Sequence, residues 1–260
     1  MSVSGFASVE SVWRDRLGML PNTVRQRLVA AQLDAHLPTL PATVLDVGCG
    51  QGTQALKLAE RGYQVTGLDH SSGMLADFGD ALAGRPSHVR DRVRLVHGEA
   101  ERIAEVLPGE TFDVVLCHGV LMYLADPVPL LRATANALNE ETGVLSLLVR
   151  NGDCPALYPG LRGDWTAAKA AFGATGYRNR LGVEARADRL GDLTNQLASV
   201  GLRIDEWYGV LTFTEFAAME ATVPSDEQLA EIVACEEEAG RTDPYRSIAA
   251  LRHLVGGLRQ

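Results

Sequence analysis

The segment from Asp46 to Gly52, DVGCGQG, constrains the fold of this chain more than any other stretch. An apolar run ends there in three glycines at every second position, and the helix-forming segment TQALKLAERG follows. Glycines allow a tight turn and let a ligand approach the backbone where a Cβ would clash. A strand, a glycine loop and a helix in this order are typical of an open α/β sheet, which binds ligands at the carboxyl ends of its strands. The segment therefore predicts a ligand site beside the first strand of such a sheet.

Strand and helix patterns alternate through the first 150 residues. Strands are predicted at YQVTGLD, RVRLVHGEA, FDVVLCHGVL and GVLSLLVRN, and the most apolar of these runs suit strands that are buried on both faces. Residues 10–37 are predicted to form a preceding helix, because Val24, Leu28, Ala31 and Ala35 recur at helical spacing. The pattern predicts an α/β fold, Rossmann-like and doubly wound, with a mostly parallel sheet and an N-terminal helical segment.

The helices between these strands have recognisable ends. The segment TQALKLAERG predicts a helix with Gly62 as its C-cap, because glycine tolerates the backbone angles at a helix end. The segment SSGMLADFGDALAG predicts a helix capped by Ser71 or Ser72, whose hydroxyl can accept a hydrogen bond from the first turn.

The alternation stops after Arg150. A Gly/Pro-rich stretch, NGDCPALYPGLRGDW, precedes an alanine-rich helix pattern and an arginine-bearing turn, and strand patterns return at LRIDEWYGVLTF and SIAALRHLV. Residues 151–190 are predicted to form an insertion, or cap, over the sheet edge after strand 5, where it contributes to the substrate site. We predict a single domain over residues 1–260, with a ligand-binding core at about residues 40–150.

Charge and cysteine spacing argue against several other classes of protein. The chain has 24 Lys and Arg against 33 Asp and Glu, a formal charge of −9, whereas dedicated nucleic-acid binders usually carry a basic field. No stretch is apolar over the roughly 18 residues that a membrane helix needs, and the first thirty residues lack the apolar core of a signal peptide. The four cysteines are far apart, without a CxxC pair. We expect a cytoplasmic protein with reduced thiols, no metal and no membrane partner.

Polar residues at the ends of later strands narrow the type of ligand. Dinucleotide sites favour GxGxxG beside a pyrophosphate, but here the spacing is GxGxG and Asp46 precedes it, which suits a ligand with a cationic centre and no phosphates. Asp69 ends the second strand, 21 residues after Gly48, where an acid can accept both hydroxyls of a ribose. Residues 98–101 follow the third strand, where we expect an adenine edge, and His118 ends the fourth strand.

These elements, in order and each at a strand end, resemble the class I S-adenosylmethionine-dependent methyltransferases over about residues 40–150. A narrower resemblance covers nearly the whole chain. The segments VRQRLVAAQLDAHL, VLDVGCGQGTQALKLAERGYQVTGLDHSSGML, LCHGVLMYLADP, GVLSLLVRNG and DPYRSIAALRH are similar to the tRNA 5-carboxymethoxyuridine methyltransferases. Members of that family methylate the carboxylate of a modified wobble uridine. The resemblance therefore implies S-adenosyl-L-methionine as cofactor, S-adenosyl-L-homocysteine as its product and tRNA as a candidate partner. The cofactor-binding residues that it implies are Arg25, Gly48, Cys49, Gly50, Asp69, Ala100, Glu101 and His118.

The methyl acceptor remains open on sequence alone. The family's insertion carries a lysine-rich run, whereas the arginine-bearing turn of this chain offers Arg178, Arg180, Arg186 and Arg189. A small-molecule O- or N-methyltransferase is therefore the alternative function, and a non-catalytic regulator that binds S-adenosylmethionine is a second alternative. A carboxylate acceptor needs no general base, whereas a phenol, amine or thiol would make His118 the candidate base. No residue is assigned as catalytic.

Overall fold

The structure is a computed structural model that describes residue 16 and residues 18–174, 176–179, 182–218 and 221–259. Predictions made for residues 1–15 and for Arg180 lie outside the described residues. In the part of the chain that is described, no helix is both long and apolar enough to cross a bilayer.

A mostly parallel sheet forms the centre of the molecule. The strands are β1 (Thr43–Val47), β2 (Gln64–Asp69), β3 (Val93–His97), β4 (Val114–His118), β5 (Val144–Arg150), β6 (Gly176–Arg178), β7 (Glu184–Arg186), β8 (Leu202–Val210) and β9 (Leu251–Leu258). Within the described ranges the main sheet has seven strands, in the order β3–β2–β1–β4–β5–β9–β8. Strands β1 to β5 pair in parallel, and β9 runs antiparallel to both β5 and β8. The predicted Rossmann-like fold class is confirmed.

Helices cover both faces of this sheet, as strands with two apolar faces require. The helices are α1 (Leu20–Asp34), α2 (Thr53–Glu60), α3 (Ser72–Ala83), α4 (Ser87–Arg90), α5 (Ile103–Val106), α6 (Val128–Ala137), α7 (Leu157–Leu161), α8 (Trp165–Ala171), α9 (Leu190–Ser199), α10 (Asp226–Arg241) and α11 (Tyr245–Ile248). On one face, Leu130 of α6 and Leu193 of α9 share a core cluster with Val115 of β4. On the other face, Phe78 of α3 shares a cluster with Val114, the preceding residue of β4.

Helix α1 covers the outer part of the second face. Its Val24 and Leu28 are buried against Leu148 of β5 and Leu251 of β9. The predicted helix over residues 10–37 is too long at its end, because α1 ends at Asp34. Ala35, predicted on the buried side, is the C-cap residue and is exposed.

The predicted start of the second helix is observed, and the predicted C-cap glycine of the first lies one residue beyond the C-cap. Helix α3 begins after Ser71, whose Oγ accepts a hydrogen bond of 3.1 Å from the amide of Met74. Helix α2 ends at Glu60 with Arg61 as its C-cap, and Gly62 follows with a φ of 110°. Gly62 therefore occupies the position just beyond the C-cap, where a left-handed glycine commonly stops a helix.

The residues after β5 form the insertion and then complete the sheet. Helices α7 and α8 and the hairpin β6–β7 precede α9, and a backbone bridge joins Asn151 to Asp188. Strand β7 packs on the single 3₁₀ turn Leu121–Tyr123 that follows β4. The edge that the insertion covers is therefore the carboxyl edge, above β4 and β5. The assignment of residues 1–260 to one domain stays a prediction.

Candidate functional site

A cavity of about 840 Å³ opens at the carboxyl edge of the sheet. The glycine loop and the residues after β2, β3 and β4 form one wall, and the insertion and the segment after β8 form the other. Most of the predicted ligand-binding residues line this cavity: Arg25, Gly48, Gly50, Asp69, Ala100, Glu101 and His118. We call the part beside the glycine loop the loop end and the part beneath the insertion the insertion end.

The glycine loop depends on left-handed backbone at each of its glycines. At Gly48, with a φ of 68°, an added Cβ would lie 2.4 Å from a methyl carbon of Val120, so a side chain does not fit. At Gly50, with a φ of 54°, an added Cβ would meet nothing within 4 Å. Because Gly50 also lines the cavity, that open space is available to a ligand.

The structure does not bring Cys49 to the cavity wall. Its amide donates to the carbonyl of Leu68 at 3.1 Å, and its own carbonyl accepts from the amide of Gly52 at 2.9 Å. The side chain is buried in the same core cluster as Phe78 of α3. Burial raises the pKa of the Cys49 thiol, so the thiol is protonated at neutral pH. The loop thus turns residue 49 into the protein, and a ligand contact at Cys49 stays a prediction.

Asp69, at the end of β2, is held by backbone donors on both oxygens. The amide of Gly50 donates to Oδ2 and the amide of Ser71 donates to Oδ1, each at 2.8 Å. The His70 ring lies 3.4 Å from Oδ1. Each carboxylate oxygen can accept more than one hydrogen bond, so Asp69 retains acceptor capacity toward the cavity that it lines.

An apolar wall lies beside Asp69. Met74 is almost completely buried and still lines the cavity, as do Leu68 and Ala100. Glu101 follows Ala100 in a single 3₁₀ turn and is exposed. An apolar wall next to a charged acceptor suits a flat ring that carries hydroxyl groups nearby.

Asp46 is a buried acid beneath the loop. Only 4% of the residue is exposed, and burial together with the charge of Asp69 raises the pKa of Asp46 to about 7. The carboxyl therefore gains its charge near neutral pH. Its position before the first glycine was the sequence signal for a cationic ligand.

Arg25 of α1 and His118 of β4 both line the cavity, and the charge of Arg25 acts on His118. Burial lowers the pKa of Arg25 to about 10, so its guanidinium stays charged at neutral pH. Burial and the charge of Arg25 lower the pKa of His118 to about 3, so its imidazole stays neutral. Nε2 of His118 is 2.8 Å from Oγ of Ser146. The pair presents one fixed cation and one neutral ring to the cavity.

The insertion end carries charged and polar side chains that the sequence analysis did not single out. Arg150 donates to Glu215 at 2.8 Å, and its guanidinium lies 4.8 Å from the ring centroid of Tyr177. Asn179 donates to the hydroxyl of Tyr123 at 3.5 Å. These residues come from β5, the hairpin, the turn after β4 and the segment after β8. Arg150 could have been found from its position at the carboxyl end of β5, whereas the contacts of Glu215 and Asn179 depend on how distant segments fold.

The arginines of the insertion are largely paired. Arg178 donates to Glu184 at 3.0 Å, and Arg186 forms an ion pair with the buried Asp188. Arg189 donates to the carbonyl of Phe172 at 3.3 Å. Arg178 lines the cavity, as does Arg162 from the end of α7. Of the arginines named for the insertion, Arg178 and Arg186 are therefore each partly neutralised by a neighbouring acid.

No group of three or more His, Cys, Asp or Glu side chains suited to a metal ion occurs in the part of the chain that the structure describes.

Comparisons with known proteins identify the domain. Residues 45–145 match the family described as "Methyltransferase domain". A curated relative, the tRNA 5-carboxymethoxyuridine methyltransferase of Escherichia coli strain K12, is 33% identical over 145 residues, covering 55% of this chain and 54% of that one. The ubiquinone biosynthesis O-methyltransferase of Psychrobacter cryohalolentis is 32% identical over 149 residues, covering 56% of this chain and 57% of that one. The chain thus spans little more than half the length of either relative.

A solved structure matches over a larger part of the fold. The glycopeptide N-methyltransferase MtfA, crystallised with S-adenosyl-L-methionine, superposes with a TM-score of 0.56 and 15% identity over 88% of this chain and 92% of that one. The domain match and the sequence relatives indicate a class I S-adenosylmethionine-dependent methyltransferase over residues 45–145, and MtfA shares the fold. Within that class, the chain is similar to both the tRNA and the ubiquinone-pathway methyltransferases named above.

Proposed function

We propose that this chain is an enzyme that transfers a methyl group from S-adenosylmethionine, with the cofactor at the loop end and the methyl acceptor at the insertion end. The main support is Asp69, fixed by two backbone amides beside the open space at Gly50, in one cavity that continues to the insertion. A pre-oriented carboxylate at this edge is suited to the two hydroxyls of a ribose.

The remaining loop-end residues fit the other parts of the cofactor. Met74 and Ala100 would contact the flat face of adenine, and Glu101 lies next to them at the rim. Arg25 is a charged donor for a free carboxylate, such as that of the methionine part. Asp46, without a phosphate to repel it, would favour the cationic sulfur.

Methyl transfer from this cofactor depends on the orientation of the two reactants more than on proton transfer. When bound, the cofactor supplies a methyl group on a cationic sulfur, and a nucleophile bonds to that carbon as the carbon–sulfur bond breaks. The cavity residues would orient the two reactants and exclude water from them. His118, with its pKa lowered to about 3, is a weak base at neutral pH. This residue set therefore favours an acceptor that is already ionised, such as a carboxylate, over a phenol.

For the acceptor we propose the carboxylate of a modified wobble uridine in tRNA. The similarity to the tRNA methyltransferase and the absence of a need for a base support this choice. Tyr123 and Tyr177 can stack on a pyrimidine ring, and Arg162 and Arg178 lie near the cavity on the insertion. The formal charge of −9 and the paired Arg178 favour the second candidate, a small carboxylate-bearing metabolite.

Mass spectrometry of wobble nucleosides separates the two acceptors. In a strain that lacks this protein, the tRNA version predicts that 5-carboxymethoxyuridine accumulates and its methyl ester disappears. Purified protein with S-adenosylmethionine and tRNA from that strain should restore the ester. An unchanged ester level in the deletion strain would exclude tRNA as the acceptor and leave the metabolite.

Binding of tRNA is expected to be weak and strongly salt-dependent. Each phosphate contact contributes a slope of about −0.9 or less in log affinity against log salt. In the described part of the insertion, acids pair with Arg178 and Arg186. Charge reversal at Arg162 and Arg178 should lower affinity and reduce the slope, as measured by filter binding between about 50 and 200 mM salt. Arg203→Glu, on the far edge strand β8, is the matched control. Salt-independent binding would contradict this expectation.

Arg25→Met is expected to weaken binding of S-adenosylhomocysteine by about 1.5–3 kcal/mol, because a carboxylate loses its charged donor. The thermal midpoint without ligand should change little, since burial of the Arg25 charge is itself unfavourable. Calorimetry and a melting curve measure the two effects. Arg27→Met, an exposed arginine on the same helix, is the control. A lower melting temperature with intact binding would instead make Arg25 a structural residue.

The affinity for S-adenosylmethionine is expected to rise by about three- to tenfold between about pH 6 and pH 8. The pKa of Asp46 is raised to about 7, so its carboxyl is neutral at the lower pH and anionic at the higher one, where it attracts the sulfonium. S-adenosylhomocysteine has an uncharged sulfur and should show a smaller change. Titration calorimetry at three pH values compares the ligands. Asp46→Asn should remove the difference in pH dependence between the two ligands. Equal pH dependence for both ligands in the wild type would contradict this role of Asp46.

A further inference from the structure

A network of buried hydrogen bonds leads from the cavity to the contact between helix α1 and strand β8. Nε2 of His118 is 2.8 Å from Oγ of Ser146 on β5, and that oxygen is 2.7 Å from Nε2 of His253 on β9. Nδ1 of His253 is 2.9 Å from Oε1 of Gln32 on α1, and Nε2 of Gln32 donates to the carbonyl of Gly209 at 3.3 Å. At most 1% of Ser146, His253 or Gln32 is exposed.

The Gly209 carbonyl, at the end of this hydrogen-bond network, determines the direction of every hydrogen bond in it. The Gly209 carbonyl can only accept, so the Gln32 amide must face it with its nitrogen. The Gln32 oxygen then accepts from Nδ1–H of His253, which leaves Nε2 of His253 as an acceptor. Ser146 must donate its only hydroxyl proton to that nitrogen. Its oxygen accepts in turn from His118, whose proton therefore lies on Nε2.

We propose that Gln32, His253 and Ser146 are positioning residues that hold His118 as its neutral Nε2–H tautomer and so present an unprotonated Nδ1 to the cavity. The partner that fits this acceptor is the ammonium group of the cofactor's amino-acid part, with the adjacent Arg25 taking the carboxylate. This role for the ammonium group rests on the proposed function. The tautomer itself does not.

The charges around the hydrogen-bond network are consistent with neutral imidazole rings at His118 and His253. Arg25 on α1 acts on His118, and burial lowers the pKa of both His118 and His253. His253 also contacts the ring of Tyr208 on β8, whose hydroxyl is 2.8 Å from Nε2 of His36. Protonation of His253 at Nε2 would place a second donor against Oγ of Ser146, whose own proton would then lack its acceptor. Protonation of His118 would instead add a proton at Nδ1, the nitrogen that does not face Ser146.

Nitrogen NMR of the histidine-labelled protein without ligand tests the tautomer. The two ring nitrogens of His118 have well-separated shifts when one is protonated and the other is not, and assignment uses the signal that His118→Asn removes. We expect Nε2 protonated and Nδ1 unprotonated at neutral pH, and a mixture of tautomers in Ser146→Ala. Ser199→Ala, which deletes an exposed hydroxyl on α9, should leave the His118 signals unchanged. Protonated Nδ1 in the wild type, or an unaltered tautomer in Ser146→Ala, would overturn the proposal.

Binding of two ligands tests the consequence. Ser146→Ala should lower the affinity for S-adenosylhomocysteine by about three- to tenfold. Its affinity for 5′-methylthioadenosine, which lacks the amino-acid part, should stay within about twofold. Gln32→Met should likewise lower the affinity for S-adenosylhomocysteine more than that for 5′-methylthioadenosine. This variant replaces Ser146→Ala in the test if Ser146→Ala does not fold. Equal losses of affinity for both ligands would show that the hydrogen-bond network has only a structural role and would overturn the proposal. Failure of the wild type to bind either ligand would count against the proposed function and not against the tautomer.

Discussion

Asp69→Ala is expected to weaken the binding of S-adenosylhomocysteine by about 1.5–3 kcal/mol, which is roughly 10- to 150-fold. The substitution removes the charged acceptor proposed for the ribose hydroxyls. It also releases the amides of Gly50 and Ser71, which both donate to this carboxylate at 2.8 Å, so the glycine loop loses one of its links to the end of β2. Titration calorimetry on the purified variant measures the change.

The control for Asp69 is an acid on the same segment of chain. Asp80, near the end of α3, is exposed, and Asp80→Ala should bind S-adenosylhomocysteine as the wild type does. Both variants should remain folded, as judged by their melting curves without ligand. Wild-type affinity in Asp69→Ala would remove Asp69 from the cofactor site.

Glu236→Ala is expected to destabilise the protein by about 3–5 kcal/mol, the largest loss of stability anticipated here. Glu236 of α10 is 1% exposed and accepts from the amides of Thr212, Phe213 and Thr214 at 2.7, 3.0 and 2.6 Å. It also accepts from the Thr214 hydroxyl at 2.6 Å. Removing the carboxylate leaves these donors without their acceptor in a buried segment. Urea unfolding followed by circular dichroism measures the difference in free energy.

The same substitution should damage the insertion end of the cavity. The segment that Glu236 holds contains Leu211, a non-glycine residue with a φ of 62°, and Glu215, the partner of Arg150. Since left-handed backbone at leucine is strained, it depends on surroundings that fix it. Glu231→Ala, an exposed residue on α10, is the matched control and should change the stability by less than about 0.5 kcal/mol. A Glu236→Ala variant as stable as this control would show that Glu236 does not hold this segment in place.

The parallel strands and the loop end of the cavity could be predicted because their signals are local. Continuous apolar runs mark the buried strands, and the glycine spacing marks the turn, so Gly48, Gly50 and Asp69 follow from short stretches of sequence. Strand ends meet at one edge of a parallel sheet whatever the details of packing. His118 was expected near the glycine loop for that reason, and both line one cavity.

The remaining features depend on contacts between distant parts of the chain. The Arg150–Glu215 pair joins residues 65 apart, and His253 meets Gln32 across 221 residues, so no spacing rule predicts either. The inward turn of Cys49 follows from amide bonds within the loop, which motif matching alone does not specify. Pairing within the hairpin also determines how many of the insertion's arginines are free.

The central claim is that the cavity takes S-adenosylmethionine, and titration calorimetry of the purified protein with S-adenosylmethionine, S-adenosylhomocysteine and NAD tests it most directly. We expect one molecule of either sulfur ligand to bind per chain, with no detectable heat from NAD, because Asp46 and the GxGxG loop disfavour a pyrophosphate. Binding of NAD in preference to both sulfur ligands, or binding of none of the three, would contradict the account.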